Sequence, residues 1–160
     1  MESKKYQGIS FDELKAQLIK DGYELRGCDD EKTNCLLCLN AGIVMVDGHL
    51  ISLDNIISVA YRKDEWWDSY DGYESEKADV YGTYETKSES PTVYDYEESG
   101  ESTSYTVVYM LNGEKQEIKL QRDGYVRYWM LGLLQYVKKR GNEYKKKHDN
   151  EQQRETGKSV

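Results

Sequence analysis

The order of the strands is set by residues 35–62, which read CLLCLNAGIVMVDGHLISLDNIISVAYR. Short runs rich in apolar and β-branched residues alternate there with turn signals, which is typical of neighbouring antiparallel strands. Asp47-Gly48 is a two-residue sequence that favours a tight hairpin turn. The predicted strands are 35–39, 43–46, 49–53 and 56–62. This stretch therefore predicts a hairpin followed by a further strand.

A helix is predicted before these strands, from Phe11 to about Asp21. Ser10 and Glu13 have the spacing of a capping box, and Gly22 suits the left-handed position just past a helix end. The predicted apolar stripe of this helix consists of Phe11, Leu14 and Leu18.

A second hairpin and a closing helix are predicted downstream. Residues 105–111 alternate Tyr105, Val107, Tyr109 and Leu111 on one face, Asn112-Gly113 forms a tight turn, and residues 114–121 return. Asp123 is predicted to cap a final helix that ends before Gly141. Its apolar residues follow the helical period: Val126, Trp129, Met130, Leu133, Leu134 and Val137. The sequence thus predicts an α+β fold, with an N-terminal helix, a mainly antiparallel sheet of two or more hairpins, and a C-terminal amphipathic helix.

Residues 51–59, ISLDNIISV, resemble the I-P-L-x-x-I-x-x-V stretch of the bacterial pleckstrin-homology-like domains. The resemblance spans residues 33–140 and includes the two hairpins and the closing helix. It implies a pleckstrin-homology-like roll or barrel. Family members that touch phosphoinositides present Lys and Arg on loops between strands, whereas the long connection in this chain is acidic. The resemblance therefore implies the fold only.

Negative charge is concentrated in residues 64–104. This stretch holds thirteen Asp and Glu against two Lys, so its formal charge is −11, while the other 119 residues sum to +3. Six Tyr and two Trp lie in the same stretch. Such asymmetry is typical of an interaction surface. We interpret residues 1–140 as one α+β domain that carries this acidic, aromatic insertion. Residues 141–160 are interpreted as a polar tail without a role in the core, either a frayed extension of the helix or disordered.

Within the insertion, residues 77–87 and 92–98 have extended character and predict a hairpin arm with its tip near Pro91. Same-face residues of a strand lie roughly 6.6 Å apart, so a row such as Asp79, Tyr81, Thr83 and Glu85 would imitate a phosphate backbone. A solvated, disordered loop is the alternative interpretation of such a charge run. The predicted partner-binding residues are Asp64, Glu65, Trp66, Trp67, Asp68, Tyr70, Asp71, Tyr73, Glu74, Tyr94, Asp95, Tyr96, Glu97 and Glu98.

The sequence contains few residues in the patterns that are typical of catalytic or metal-binding sites. The chain has two histidines and three cysteines, and only Cys35 and Cys38 have a ligand-like spacing. We predict a protein that is not an enzyme and that needs no cofactor or metal. Because the cysteine number is odd and no apolar run is long enough for export or membrane insertion, we also predict a reduced, cytoplasmic protein.

The leading hypothesis is a non-catalytic binding module whose acidic, aromatic arm engages a basic protein surface. The nucleic-acid cleft of a nuclease or defence effector is such a surface, so the chain would act as an inhibitor or immunity factor by nucleic-acid mimicry, without binding nucleic acid itself. Two alternatives remain: a pleckstrin-homology-like module that works at a membrane or in an assembly, and a hydrolase that uses carboxylates.

Overall fold

The computed structural model describes residues 5–67, 70–89 and 100–158. Its helices are α1 (Phe11–Lys20) and α2 (Tyr128–Lys158). Its strands are β1 (Asp29–Asp30), β2 (Cys35–Cys38), β3 (Ile43–Val46), β4 (His49–Ser52), β5 (Ile56–Trp67), β6 (Tyr70–Asp79), β7 (Tyr84–Glu89), β8 (Gly100–Leu111) and β9 (Glu114–Asp123). Short 3-10 turns lie at Glu31–Thr33 and Leu53–Asn55.

The strands form two antiparallel sheets. The first sheet has the order β1-β2-β3-β4, and the second has the order β7-β6-β5-β8-β9. The predicted α+β class, the antiparallel pairing and the two terminal helices are confirmed. Both predicted tight turns are confirmed as well, because Asp47, Gly48, Asn112 and Gly113 all adopt positive φ.

Helix α1 has the ends that its sequence predicts. The Ser10 hydroxyl accepts a hydrogen bond from the Glu13 backbone N–H at 3.3 Å. At the other end Tyr23 N–H donates to the Leu18 carbonyl at 3.0 Å, which is the wide hydrogen bond of a Schellman ending, with Gly22 in the left-handed region. The apolar stripe of the helix packs on the outer face of the first sheet.

The first sheet is buried on both faces. Leu36 and Met45 point towards α1, whereas Leu37 and Val44 point into the central core between the sheets. All residues of β2 and β3 are buried. Strands covered on both sides need apolar residues at every position, which explains why residues 35–38 and 43–46 read as continuous apolar runs.

The central core lies between the two sheets and α2. Trp129 and Met130 of α2 pack there against Val59 of β5 and Tyr105 and Val107 of β8. The rings of Trp129 and Tyr105 lie 5.3 Å apart. The predicted apolar positions of α2 are therefore confirmed from Trp129 to Val137, since these side chains are buried.

A buried ion cluster joins the two sheets. The Asp30 carboxylate lies 2.8 Å from Nε of Arg122 in β9 and 3.9 Å from Nε of Arg127, and its side chain is only 5% exposed. The same carboxylate accepts hydrogen bonds from the Thr33 hydroxyl at 2.9 Å and from the Lys32 backbone N–H. Because Asp30 belongs to the first sheet and Arg122 to the second, the cluster ties the sheets together.

The acidic segment departs from its predicted structure. Strand β5 does not end at residue 62 but continues to Trp67, so the segment begins inside a strand. Residues 77–87 are not a single strand, because β6 ends at Asp79 and β7 begins at Tyr84. The prediction that Asp79, Tyr81, Thr83 and Glu85 form a row on one face of a single strand is therefore wrong. Residues 92–98 and Pro91 lie outside the described residues.

A local hydrogen-bonding motif explains the turn between β6 and β7. One Asp79 carboxylate oxygen accepts hydrogen bonds from the backbone N–H groups of Tyr81 and Thr83, both at 3.0 Å. Gly82 adopts a φ of 100°, which is accessible mainly to glycine. Aspartate commonly organises turns in this way, so the Asp79–Gly82 sequence reverses the chain in the middle of an apparently extended run.

The predicted start of α2 is also wrong. Asp123 does not cap the helix, because it pairs with Ser102 as the last residue of β9. The helix begins five residues later at Tyr128. The phenol oxygen of Tyr105 accepts a hydrogen bond from the Arg127 backbone N–H at 3.1 Å. The Tyr105 side chain of the second sheet thus accepts a hydrogen bond from a backbone N–H at the start of α2. The sequence predicts this capping role for Asp123.

The end of α2 lies far beyond the predicted boundary at Gly141, since the helix runs to Lys158. Gly141 is the point of close approach between α2 and the turn after β6. A Cβ atom placed on it would lie 2.7 Å from the Asp79 carbonyl oxygen and 2.8 Å from the Gly82 Cα. One turn further on, the Tyr144 ring packs edge-on against Tyr81, with centroids 5.6 Å apart. The segment predicted to be a polar tail therefore begins as a continuation of α2 that contacts the second sheet and the turn after β6.

Gly141→Ala is expected to destabilise the protein by about 1–3 kcal/mol, although alanine favours a helix by about 1 kcal/mol over glycine. The added methyl group would meet backbone atoms, which cannot move aside as a side-chain end can. Gly132→Ala is the matched control, since its Cβ would meet only the Leu37 Cδ2 atom at 2.8 Å. Urea denaturation of both variants measures the difference; a more stable Gly141→Ala protein would contradict the close approach.

Candidate partner-binding arm

The arm is the part of the second sheet that extends past the buried pair Tyr61 and Tyr105. It comprises residues 62–67 of β5, 70–76 of β6 and 100–104 of β8, with β7 along its outer edge. Tyr61 and Tyr105 are directly paired and buried. Trp67 lies six residues beyond Tyr61, which corresponds to about 20 Å of extended strand.

The structure brings together the first half of the predicted site. Asp64 pairs with Tyr73, Glu65 with Gly72, Trp66 with Asp71 and Trp67 with Tyr70, and Glu74 follows next to Tyr73. The other six predicted residues lie outside the described part of the chain: Asp68, Tyr94, Asp95, Tyr96, Glu97 and Glu98.

One face of the arm carries excess negative charge. Val59 and Tyr61 point to the core, so strand alternation places Lys63 and Glu65 on the same face, which we call the core-side face. Lys63 forms an ion pair with Glu65. The hydrogen bond to Glu65, together with the charges of Glu65, Glu101 and Glu74, raises the pKa of Lys63 above its ordinary value. One ammonium group thus pairs with Glu65 and lies in the electric field of two further carboxylates, those of Glu101 and Glu74.

A shallow acidic depression lies on this face. Its volume is about 300 Å³, and its lining includes Lys63, Glu65, Gly72, Glu74 and Ser88. Gly72 stands opposite Glu65 in the ladder and leaves space where another residue would place a side chain. Glu65 also stands opposite Glu101 of β8, and like charges in directly paired positions destabilise a sheet. The fold does not require this repulsion between Glu65 and Glu101. Destabilising features that the fold does not require are typical of functional surfaces.

The opposite face of the arm, which we call the open face, is more nearly neutral. Arg62 forms an ion pair with Asp64 at 3.1 Å, and its guanidinium carbon lies 4.0 Å from the centre of the Tyr73 ring. The hydrogen bond to Asp64 raises the pKa of Arg62 above its ordinary value. Trp66 lies on the same face over Gly100, where a Cβ atom would come within 2.7 Å of the indole. Each ring therefore already has an intramolecular contact.

The root of the arm is attached to α2. The Tyr84 hydroxyl donates a hydrogen bond to Glu76 at 2.9 Å, and the Lys138 ammonium lies 4.0 Å from the centre of the Tyr84 ring. Burial, followed by the charges of Glu76 and Glu74, raises the pKa of Tyr61. The phenol therefore stays protonated, and the acidic surface begins directly above a neutral, buried ring.

Sequence reasoning missed three residues of the site: Arg62, Lys63 and Glu101. Arg62 and Lys63 immediately precede the acidic run, and the predicted strand ended at Arg62, before Lys63 and the rest of the arm. Glu101 lies in the segment, but only the ladder shows that it faces Glu65. Extending the predicted strand by five residues, from Arg62 to Trp67, would have placed Arg62 and Lys63 on opposite faces of the arm, whereas no local pattern indicates the position of Glu101.

The cysteines do not form a metal-ligand group in the described structure. Cys28, Cys35 and Cys38 are thiols that are not joined in disulfides, and burial raises the pKa of Cys35 to about 11. Among the residues described, His, Cys, Asp and Glu nowhere form a cluster of three or more that could hold a metal ion.

The fold and the arm define an α+β protein with an acidic, aromatic extension of its second sheet. No protein-family model, no curated protein and no solved structure matches the chain. In the part of the chain that the structure describes, no helix is both long and apolar enough to cross a membrane. The pleckstrin-homology-like resemblance stays a prediction.

Proposed function

We propose that this protein is a non-catalytic binding module whose arm engages a basic surface on another protein. The proposed partner is a nucleic-acid-binding protein, such as a nuclease or defence effector, whose basic cleft the arm occupies in place of nucleic acid. The chain would act in the cytoplasm as an inhibitor or immunity factor, a setting in which its three cysteines stay reduced.

The acidic depression is the observation that carries this proposal. Glu65 and Glu74 line the depression beside a single Lys63, whose pKa the charge of Glu101 raises as well, so the depression holds surplus negative charge that a cationic side chain can neutralise. An Arg or Lys of the partner would exchange contacts with water for contacts with these carboxylates and relieve the Glu65–Glu101 repulsion. Because Glu74 and Glu76 share a face at strand spacing, roughly 6.6 Å, the arm presents charges in a row.

The aromatic residues supply the apolar part of the proposed contact. Tyr73 and Trp66 lie half-buried on the open face, held by Arg62 and Gly100. Aromatic side chains that are already ordered lose little entropy on binding, and Trp and Tyr are common at binding hot spots. The charges of the arm would raise the rate of association, and these rings would slow dissociation.

The double variant Glu74→Lys/Glu101→Lys is expected to weaken partner binding about tenfold or more, since close interfacial charge pairs couple by at least ~1.4 kcal/mol. Glu114→Lys/Glu117→Lys is the matched control, because it changes the net charge equally at the far end of β9, outside the arm. Partner capture from a lysate of the native host, with the intact chain and both variants as bait, provides the protein to be tested.

The purified partner is then used for stopped-flow measurements at low and high ionic strength. The association rate of the intact chain is expected to fall steeply with salt, and that of the arm variant to be slower and less dependent on salt. The proposal would be overturned if the arm and control variants lost partner affinity equally. It would also be overturned if ionic strength left the association rate of the intact chain unchanged.

A further inference from the structure

Strand β7 is an exposed edge of the second sheet. It pairs with β6 on one side, and no described residue pairs with its other side. All six of its residues are exposed. An edge of this length presents unpaired backbone N–H and C=O groups, which readily pair with another strand unless its side chains prevent it.

The turn before β7 determines which backbone groups point outward. Asp79 N–H donates to the Thr83 carbonyl at 3.0 Å, so Asp79 and Thr83 form a hydrogen-bonded pair. Antiparallel ladders alternate between hydrogen-bonded and non-hydrogen-bonded pairs. The N–H and C=O groups of Glu85 and Lys87 therefore point towards β6, and those of Tyr84, Thr86 and Ser88 point outward.

The side-chain charges of β7 are complementary to those of a second copy of the same strand. If two copies pair antiparallel with Thr86 opposite Thr86, the outward backbone groups of Thr86 bond to each other, and those of Tyr84 bond to Ser88 of the other copy. Glu85 then stands opposite Lys87 of the other copy, and this pair occurs twice because the arrangement is two-fold symmetric. These are non-hydrogen-bonded positions, where facing side chains are closest.

We propose that the protein forms a two-fold symmetric dimer through β7, in which the second sheets of two copies join into one continuous sheet. In this dimer, the alternation of positive and negative side chains between β6 and β7 continues into β7 of the second copy. Lys77 of β6 stands opposite Glu85 within one copy, so the row would read Lys77, Glu85 and then Lys87 of the second copy. Alternating signs along a row stabilise cross-strand pairing.

Charge also selects this register over its neighbours. A shift that places Glu85 opposite Glu85 brings two carboxylates together, and a shift that places Lys87 opposite Lys87 brings two ammonium groups together. A further shift, with Ser88 opposite Ser88, pairs Lys87 with Glu89 but leaves half of β7, residues 84–86, without a facing strand residue. The register centred on Thr86 combines opposite charges with pairing along nearly the whole strand.

Two charge variants test the dimer by mixing. In a dimer of the Lys87→Glu variant, the new Glu would face Glu85 of the second copy, and in a dimer of the Glu85→Lys variant, the new Lys would face Lys87 of the second copy. Each variant is therefore expected to self-associate about tenfold or more weakly than the unaltered chain. In a mixture of the two variants, β7 of one chain carries Glu at positions 85 and 87 and β7 of the other carries Lys at both positions. Every facing pair then has opposite charges, and dimerisation is expected to return. Sedimentation velocity of each variant, the mixture and the unaltered chain measures the outcome. Two variants that are both monomeric alone and dimeric together also show that neither is misfolded.

Thr86→Pro supplies an independent test, because it removes an outward N–H and leaves the hydrogen bonds to β6 in place. Thr86→Ala is its control. The proline variant is expected to be monomeric with an unchanged circular dichroism spectrum, and the alanine variant to be dimeric. An unaltered chain that sediments as a monomer at all concentrations, or variants that dimerise as it does, would overturn the β7 dimer.

Discussion

Asp30→Ala is expected to lower the free energy of unfolding by about 3–5 kcal/mol, because it leaves buried positive charge without its counterion. Arg122 would lose a carboxylate at 2.8 Å and Arg127 one at 3.9 Å, and the Arg122 side chain is only 15% exposed. The hydrogen bonds from Thr33 and Lys32 would be lost as well. The change removes the ionic contact between the sheets, so we expect a loss much larger than that from a surface ion pair.

Urea denaturation followed by circular dichroism measures this loss. Asp29→Ala is the control, since the neighbouring carboxylate pairs with Lys15 near the surface and its removal should cost about 1 kcal/mol or less. The double variant Asp30→Ala/Arg122→Ala should lose less than the sum of the single losses, because the second change removes the charge that the first leaves unpaired. The role of the cluster would be contradicted if Asp30→Ala and Asp29→Ala lowered the free energy of unfolding equally. It would also be contradicted if the loss in the double variant equalled the sum of the two single losses.

The elements that the sequence predicts well are those whose signals are local. The Ser10 cap and the Gly22 ending both lie within one turn of α1, and the structure contains both. The hairpin turns at Asp47-Gly48 and Asn112-Gly113 depend on two residues with positive φ, which Asn, Asp and Gly adopt most readily. Such signals need no knowledge of the rest of the fold, so they can be read directly.

Elements that depend on distant partners are predicted poorly. Asp123 has a good capping side chain, but pairing with Ser102 extends β9 through it, and Tyr105 takes over the contact at the start of α2. Gly141 resembles a helix end, yet its lack of a side chain serves the close approach to Gly82 instead. In both cases a tertiary contact overrides a correct local preference.

The arm illustrates the same limit for a functional site. Charge counting located its carboxylates, but a strand with charged residues on both faces has no alternation of polar and apolar residues to reveal it. Strand β5 stays extended through Asp64 and Trp66 because β6 and β8 pair with it on both sides. The residues paired with Asp64 and Trp66 are 5 to 38 positions away in sequence, so the depression between Glu65 and Glu74 could not be predicted from local patterns.

Trp129→Ala is expected to destabilise the protein by about 3–5 kcal/mol, the usual cost of truncating a large buried aromatic residue. Trp129 is fully buried where α2 meets both sheets, and its ring packs on Tyr105. Tyr105 in turn accepts the hydrogen bond from Arg127, so a cavity at Trp129 would also loosen the start of α2. Urea denaturation measures the loss, and Tyr128→Ala, at a neighbouring position that is 70% exposed, should lose at most about 1 kcal/mol.

Trp129→Phe separates the contribution of ring volume from that of the indole N–H. Nε1 of Trp129 is buried and has no hydrogen-bond partner among the described residues, so the indole already carries the cost of an unsatisfied donor. Phenylalanine keeps an aromatic ring against Tyr105 and removes that donor, and we expect it to cost about 1 kcal/mol, far less than alanine. If phenylalanine were as destabilising as alanine, the indole N–H would have to make a contact that stabilises the core, and α2 would be held by a polar interaction instead of packing.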